Sequence, residues 1–206
     1  MDRVVDLYII RHGITEGNIR KQYIGWSDLP LHQDGVKALH IIRPRIPSVD
    51  MIWTSDLVRC IDTAARLFPE KRVKKTQLLR EIHFGDWERR SYEDLKANPL
   101  YRKWVAAPSL TSPPGGELYQ VFQARIEQWL LSFFSELDEH RELKSAAVIT
   151  HGGVLRELMH WLYGDLTSTW NWSAAPGEGY HLQLKQRRDQ SWTLLQGELI
   201  TAKPNG

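Results

Sequence analysis

Cysteine is nearly missing from this chain of 206 residues: there is one, Cys60. A single thiol forms no internal disulfide and no cysteine-based zinc cluster. Long apolar runs are missing too. The most apolar stretch, Trp129-Leu130-Leu131-Ser132-Phe133-Phe134, is far shorter than the roughly 20 residues that a bilayer-spanning helix requires. The opening Met1-Asp2-Arg3-Val4 lacks the apolar core and small-residue cleavage site of a secretion signal. The expectation is a cytoplasmic protein with no membrane partner. Charge imbalance is also lacking, since 27 basic and 25 acidic side chains leave a formal +2. Nothing there attracts nucleic acid to the molecule as a whole, so any anion site must be local. The basic run from Glu70 to Lys75 reads as a solvated segment entering a strand.

What is present suits a globular enzyme: 42% hydrophobic and 25% charged residues. The length fits one domain over 1–206 with a small insertion. Apolar runs predict strands at Val4–Ile10, Met51–Thr54, Val73–Thr76 and Ala146–Thr150, with a late hairpin from Tyr180–Leu184 and Trp192–Leu195. Helical spacing predicts helices over Gly35–Ile46, from Asp56 as N-cap through Leu67, and over Ser91–Ala107 with a break at Pro99. A long amphipathic helix begins after Pro113-Pro114-Gly115-Gly116, and an apolar one follows His151. Strands alternating with helices imply an α/β domain: three layers, with a central, mostly parallel sheet flanked by helices.

Two predicted strands end in histidine and glycine, at Arg11-His12-Gly13 and Thr150-His151-Gly152-Gly153. Ligands of open α/β sheets bind beyond the carboxyl ends of the strands. A third strand end, Thr54-Ser55-Asp56-Leu57-Val58-Arg59, sets an arginine in the first turn of a helix, where amides and guanidinium suit an anion. Cys60 and Arg66 have the spacing of cysteine-dependent phosphatases. The residues between them fall within a predicted helix and include no glycine, and helical amides are already bonded to carbonyls. No Gly-x-Ser-x-Gly elbow occurs either.

The run from Arg11 to Asn18 resembles the signature of the histidine phosphatase superfamily, in its phosphoglycerate-mutase-like branch. Further similar blocks follow in order: Gly25–Leu31, Thr54–Arg59 with Thr63-Ala64, Leu79–Glu88, Gly115-Gly116-Glu117 and Thr150–Gly153. The resemblance spans nearly the whole chain and implies a phosphoglycerate-mutase-like fold with a short helical insertion about 89–117. It implies a phosphomonoesterase that moves phosphate through a phosphohistidine, acts on small phosphorylated metabolites and needs neither metal nor cofactor. His12 is then the nucleophile and Glu81 the proton donor and acceptor, with Asp86 or Glu88 able to share that role. His151, Arg11, Arg59, Asn18 and the Gly152 amide hold phosphoryl oxygens; Asn18 is equally readable as a helix-terminating residue.

Tyr23, Gly25 and Trp104 are expected at the substrate wall, with Trp26 and Trp87 structural and Trp129 and Trp161 in the core. Ile24 stands where such proteins often carry a polar residue, which suggests a substrate less charged than a bisphosphate. The Phe84–Glu88 block with its short insertion is similar to the α-ribazole phosphatase group, and equally to broad-specificity bacterial phosphatases. A cofactor-dependent phosphoglycerate mutase and a non-catalytic phospho-ligand binding module are the alternatives. The mutase reading suffers because Glu88 leads into Arg89-Arg90-Ser91-Tyr92 and the insertion is short.

Overall fold

The computed structural model describes residues 3–164 and 172–201. The strand expected at Val4–Ile10 forms as β1 (Arg3–Arg11), and its alternation divides the molecule. Val5, Leu7 and Ile9 face one apolar cluster; Tyr8 and Ile10 face another. Successive strand residues point to opposite sides of a sheet, so a strand buried on both faces needs this near-continuous apolar run.

The other strands are β2 (Met51–Ser55), β3 (Lys74–Thr76), β4 (Ser145–Thr150), β5 (Gly179–Gln186) and β6 (Trp192–Ile200). They form one sheet in the order β3-β2-β4-β1-β5-β6. The four on the β3 side are mutually parallel. The late hairpin adds β5 antiparallel to β1, with β6 antiparallel to β5. This is the expected three-layer α/β architecture.

Helices α1 (Glu16–Ile19), α2 (Gln33–Ile42) and α3 (Val58–Leu67) follow the first two strands. Leu39 and Ile42 of α2 and Cys60, Ala64 and Leu67 of α3 build the cluster on the Ile10 face. The other face is covered by α6 (Tyr119–Glu139) and α7 (Gly152–Tyr163). From α6 alone Phe122, Ile126, Trp129, Leu130, Phe133 and Leu137 are buried, each stabilising the fold by about 1.5–3 kcal/mol relative to exposure. The region expected to be an insertion holds α4 (Tyr92–Leu95) and α5 (Pro99–Ala106). Pro99 begins α5, a position where its missing N–H costs nothing.

Some local expectations differ from the structure. The helix expected over Gly35–Ile46 ends at Ile42, and a 3-10 turn over Arg43–Arg45 carries Pro44. Leu57, not Asp56, is the N-cap of α3. The Asp56 carboxylate is taken by the Arg80 guanidinium at 2.7 and 2.6 Å, a two-point ion pair that outcompetes a neutral cap. Asp28 accepts from Val58 N–H at 2.8 Å and supplies the acidic contact to that helix end. Trp129 is buried, but Trp161 is 44% exposed and lines a shallow groove with Leu131 and Leu194.

Candidate active site

β1 and β4 are neighbours in register, with Arg11 opposite Thr150. The residues that follow them are therefore neighbours too. His12 N–H donates to Thr150 O at 2.8 Å, and the His12 and His151 rings meet edge-on with centroids 5.2 Å apart. His12 Nδ1 lies 2.7 Å from Gly13 O. A carbonyl only accepts, so Nδ1 carries the proton and Nε2 keeps its lone pair. Burial, then the charges of Arg59 and Arg11, hold the His12 pKa well below the ordinary histidine value. The neutral, nucleophile-competent tautomer is thus fixed. The Gly13 amide is itself held by Thr63 Oγ1 at 3.0 Å, and that hydroxyl donates to Arg59 O.

Arg59 enters from the first turn of α3 and is fully buried. It donates to Ser27 O at 2.9 Å, Gly25 O at 2.6 Å and His151 Nδ1 at 3.3 Å. A guanidinium carries five N–H donors, so these bonds aim the group without exhausting it. Because Arg59 can only donate, His151 Nδ1 is an acceptor, and Nε2–H points at Ser55 Oγ, 3.0 Å away. His151 is neutral for the same reason as His12: burial first, then Arg59. Arg11 donates to Ala174 O at 2.9 Å. Its Nε is buried and has no hydrogen-bond partner among the described residues. A Cβ on Gly152 would sit 3.4 Å from that guanidinium, so the N-terminus of α7 and Arg11 lie side by side.

Glu81 docks on the same helix end, accepting from Gly153 N–H at 2.8 Å and from Ile82 N–H at 3.0 Å. A Cβ on Gly153 would lie 2.2 Å from Glu81 Oε1, so a side chain there would push the carboxylate off this helix end. Both Arg11 and Arg59 feel the Glu81 charge. Glu88, the other carboxylate considered for acid–base work, is engaged elsewhere. It accepts from the backbone N–H groups of Gly25, Trp26, Ser27 and Phe84. Burial pushes its pKa up, but these bonds outweigh that and hold it below the usual carboxylate value. Asp86 is exposed on the loop. Asn18 uses its side-chain oxygen to close a capping box with Thr15 at the start of α1, leaving its amide NH2 outside that box.

Beside Glu81 and Gly153 opens a cavity of about 580 Å³. Tyr23 and Trp104, expected at the wall, both line it, with Phe84 and Tyr101. The Tyr23 and Tyr101 hydroxyls are hydrogen-bonded to each other, and the Tyr23 ring meets Trp104 edge-on at 6.0 Å. Trp104 Nε1 has no hydrogen-bond partner among the described residues. Gly25, expected at the wall, lies behind Arg59 instead, and a Cβ there would be 2.1 Å from Ile82 O. Cys60 is fully buried in α3 with its thiol pushed up to about 12 by burial, far from thiolate chemistry.

Several supporting residues escaped sequence reasoning. Ser55 touches His151 across 96 positions. Arg125 clamps the carbonyls of Leu78, Arg80 and Glu81 while paired to Glu117. Ser55 lies within a block that resembles the family, and that was its only sequence signal. Arg125 had none.

The arrangement is a buried neutral imidazole between two guanidiniums and a helix N-terminus, with a carboxylate at the mouth of an aromatic cavity. Such a site can take a tetrahedral anion and offer it a nitrogen nucleophile. Residues 7–196 match the histidine phosphatase superfamily (branch 1), and the chain belongs to that family. It is a phosphatase, hydrolysing small phosphorylated compounds through a phosphohistidine.

Among its relatives is an adenosylcobalamin/alpha-ribazole phosphatase of Salmonella typhimurium, 32% identical over 160 residues, 74% of this chain and 77% of the relative. A 2,3-bisphosphoglycerate-dependent phosphoglycerate mutase of Rhizobium etli is 30% identical over 164 residues, covering 74% and 77%. The crystal structure of the alpha-ribazole phosphatase from Shigella flexneri superposes with a TM-score of 0.81 at 26% identity, over 98% of this chain and 99% of that one. Among the described residues no helix is long and apolar enough to cross a membrane.

Proposed function

We propose that His12 is the nucleophile and that the preferred substrates are phosphomonoesters with an aromatic portion in the leaving group, α-ribazole phosphate among them. The observation that carries this reading is the His12 Nδ1–H bond to Gly13 O, which leaves Nε2 unprotonated on a ring that feels the charges of Arg59 and Arg11. Nε2 attacks phosphorus, and the N–P bond forms as the ester P–O bond breaks. Glu81 passes a proton to the departing oxygen as that bond breaks. Arg11, Arg59, the Asn18 amide, the Gly152 N–H and the Nε2–H of His151 hold the phosphoryl oxygens, where the transition-state charge lies. His151 exchanges Ser55 Oγ for a charged acceptor when it does so, and charge-assisted hydrogen bonds are roughly twice as strong. Water then attacks phosphorus while Glu81 takes its proton, releasing inorganic phosphate and free His12.

We read 1–206 as one domain in which α4 and α5 roof the cavity. Its size suits a drug-sized or nucleoside-sized group, since ligand pockets run about 300–1,000 Å³, and its aromatic walls favour a flat one. The relatives named as alpha-ribazole phosphatases support that substrate.

The deciding experiment is quenched turnover of α-ribazole phosphate and a plain aryl phosphate. A phosphoenzyme that is acid-labile and alkali-stable is expected, and its absence together with full activity in His12→Ala would overturn the assignment. The Rhizobium etli relative is named a mutase, and a mutase would interconvert phosphoglycerate isomers. Release of inorganic phosphate without isomerisation is the expected result here.

A further inference from the structure

Glu157 is 2% exposed, lies in the middle of α7 and lines the aromatic cavity. Its position on the helix explains why. Gly153 and Glu157 are four residues apart, so they share one face. Gly153 is where Glu81 docks. At 1.5 Å per residue, Glu157 lies about 6 Å farther along the helix axis from the reaction centre. That is roughly the length of a small fused ring system.

Two neutral donors from α6 hold the carboxylate. The Tyr119 hydroxyl donates to Oε1, and Gln123 Nε2 donates to Oε2 at 3.1 Å. Burial and this bond to Glu157 push the Tyr119 phenol pKa up, so its proton stays in place to donate. The two oxygens of a carboxylate offer about four acceptor positions, and these bonds use two. The side chain has a structural role open to it, as a tie between α6 and α7. A tie has no need to open on the cavity, however, and a buried carboxylate is costly to keep where an apolar residue would pack. The cavity around it is lined by Tyr23, Phe84, Trp104 and Phe122, which offer contact area and stacking, with Arg156 beside Glu157 and Glu81 at the phosphate end. Away from Glu81, the negative acceptor on this lining is therefore Glu157.

We propose that Glu157 is a specificity residue that accepts a hydrogen bond from an N–H or O–H group at the end of the leaving group remote from the phosphate. The favoured leaving group is then a flat aromatic body with a donor at its far end. This rests on reading the cavity as the leaving-group site of a His12 phosphatase. Tyr119 and Gln123 act as positioning residues for the carboxylate.

The test uses two esters: naphthyl phosphate, and an aminonaphthyl phosphate whose amine is on the ring remote from the ester. Within one enzyme preparation the ratio of their kcat/KM values is independent of how much protein is folded. The wild-type chain should favour the amino ester on the order of tenfold, the size of one hydrogen bond to a charged group. Glu157→Met removes both carboxylate oxygens, leaving only a weak thioether acceptor, and should bring the ratio to about one. Glu157→Gln keeps one oxygen, loses the charge and should fall between, which decides the matter if the methionine variant does not fold. A wild-type ratio near one, or a ratio unchanged in the variants, overturns the role of Glu157 while leaving the phosphatase site intact. If the wild-type chain hydrolyses neither ester, or His12→Ala hydrolyses both undiminished, the reading of the site fails and the specificity role with it.

Discussion

His12 and His151 stand edge-on, 5.2 Å between ring centroids, although 139 positions separate them in the sequence. The cause is sheet order. β1 and β4 are parallel and adjacent, and each ends one residue before its histidine. Both rings are neutral because burial penalises the charged imidazolium first, and the neighbouring Arg59 and Arg11 guanidiniums then add repulsion.

That neutrality has a consequence for stability. Burial, then Arg59, depress the pKa of both histidines in the folded chain below the ordinary value of 6.5. Below pH 6.5 the unfolded chain therefore binds protons that the folded chain does not, and stability falls as pH falls. It is fully present above that value and is lost progressively below it. Urea midpoints at about pH 7.5 and pH 5.5 should show the wild type losing stability on acidification. His12→Asn, which cannot titrate, should lose less. Equal losses in the two proteins would contradict the buried neutral state of His12.

Gly25 should tolerate no side chain. A Cβ would fall 2.1 Å from the backbone oxygen of Ile82 and 2.5 Å from Glu88 Oε1. The Gly25 carbonyl also anchors Arg59, so any shift of this loop moves the guanidinium. Gly25→Ala is expected to cost at least about 2 kcal/mol of stability, in the range for strained and overpacked sites. The residual folded enzyme should lose at least tenfold in kcat/KM, by the sensitivity of catalysis to ångström-scale misplacement. Chemical denaturation and steady-state kinetics on the same variant give both numbers, and a stable, fully active Gly25→Ala would show that the loop moves freely.

Much of the site was legible because its sequence signals are local. Strand ends that deliver histidine and glycine, and an arginine in the first helical turn, appear as short contiguous runs. Asp56 misled because capping propensity is local while its actual partner, Arg80, is 24 residues away. Trp161 misled because helical spacing from Val154 suggests a buried face, yet the last turn of α7 leaves that indole half in solvent. Ser55 against His151, and Glu157 between Tyr119 and Gln123, depend on which strands and helices are neighbours. Sequence pattern specifies the elements and their apolar faces, but the pairing of one element with another is decided by the packed whole.

Cys60 supplies a control on the nucleophile. Its thiol is pushed up to about 12 by burial, and its sulfur faces Thr150 O and the His151 ring, not the cavity. Cys60→Ser keeps a small donor in the same place and should retain activity within about threefold, with a stability cost of about 1–2 kcal/mol for burying a hydroxyl. Thiol-alkylating reagents should leave the native wild-type enzyme active on the assay timescale. Near-complete loss in Cys60→Ser, in protein shown to be folded by circular dichroism, would point to a thiol mechanism.

Trp104 separates binding from chemistry. It lines the cavity beside Tyr23, Phe84 and Tyr101 and meets the Trp87 and Tyr23 rings edge-on at 5.5 and 6.0 Å. Its ring neighbours are Tyr23, Phe84, Trp87 and Tyr101. Truncation should therefore remove stacking surface for the leaving group and leave phosphoryl transfer alone. Aromatic pairs contribute about 0.5–1.5 kcal/mol beyond the area they bury, and that area adds to the loss for a bicyclic ester. Trp104→Ala should raise KM for naphthyl phosphate about tenfold or more, while kcat changes less than about threefold. For a short alkyl phosphate, which does not fill the cavity, both constants should hold. Comparing the two esters in the same variant reads the difference directly. A uniform fall in kcat across both would mean that the indole supports the reaction centre and is not part of the wall.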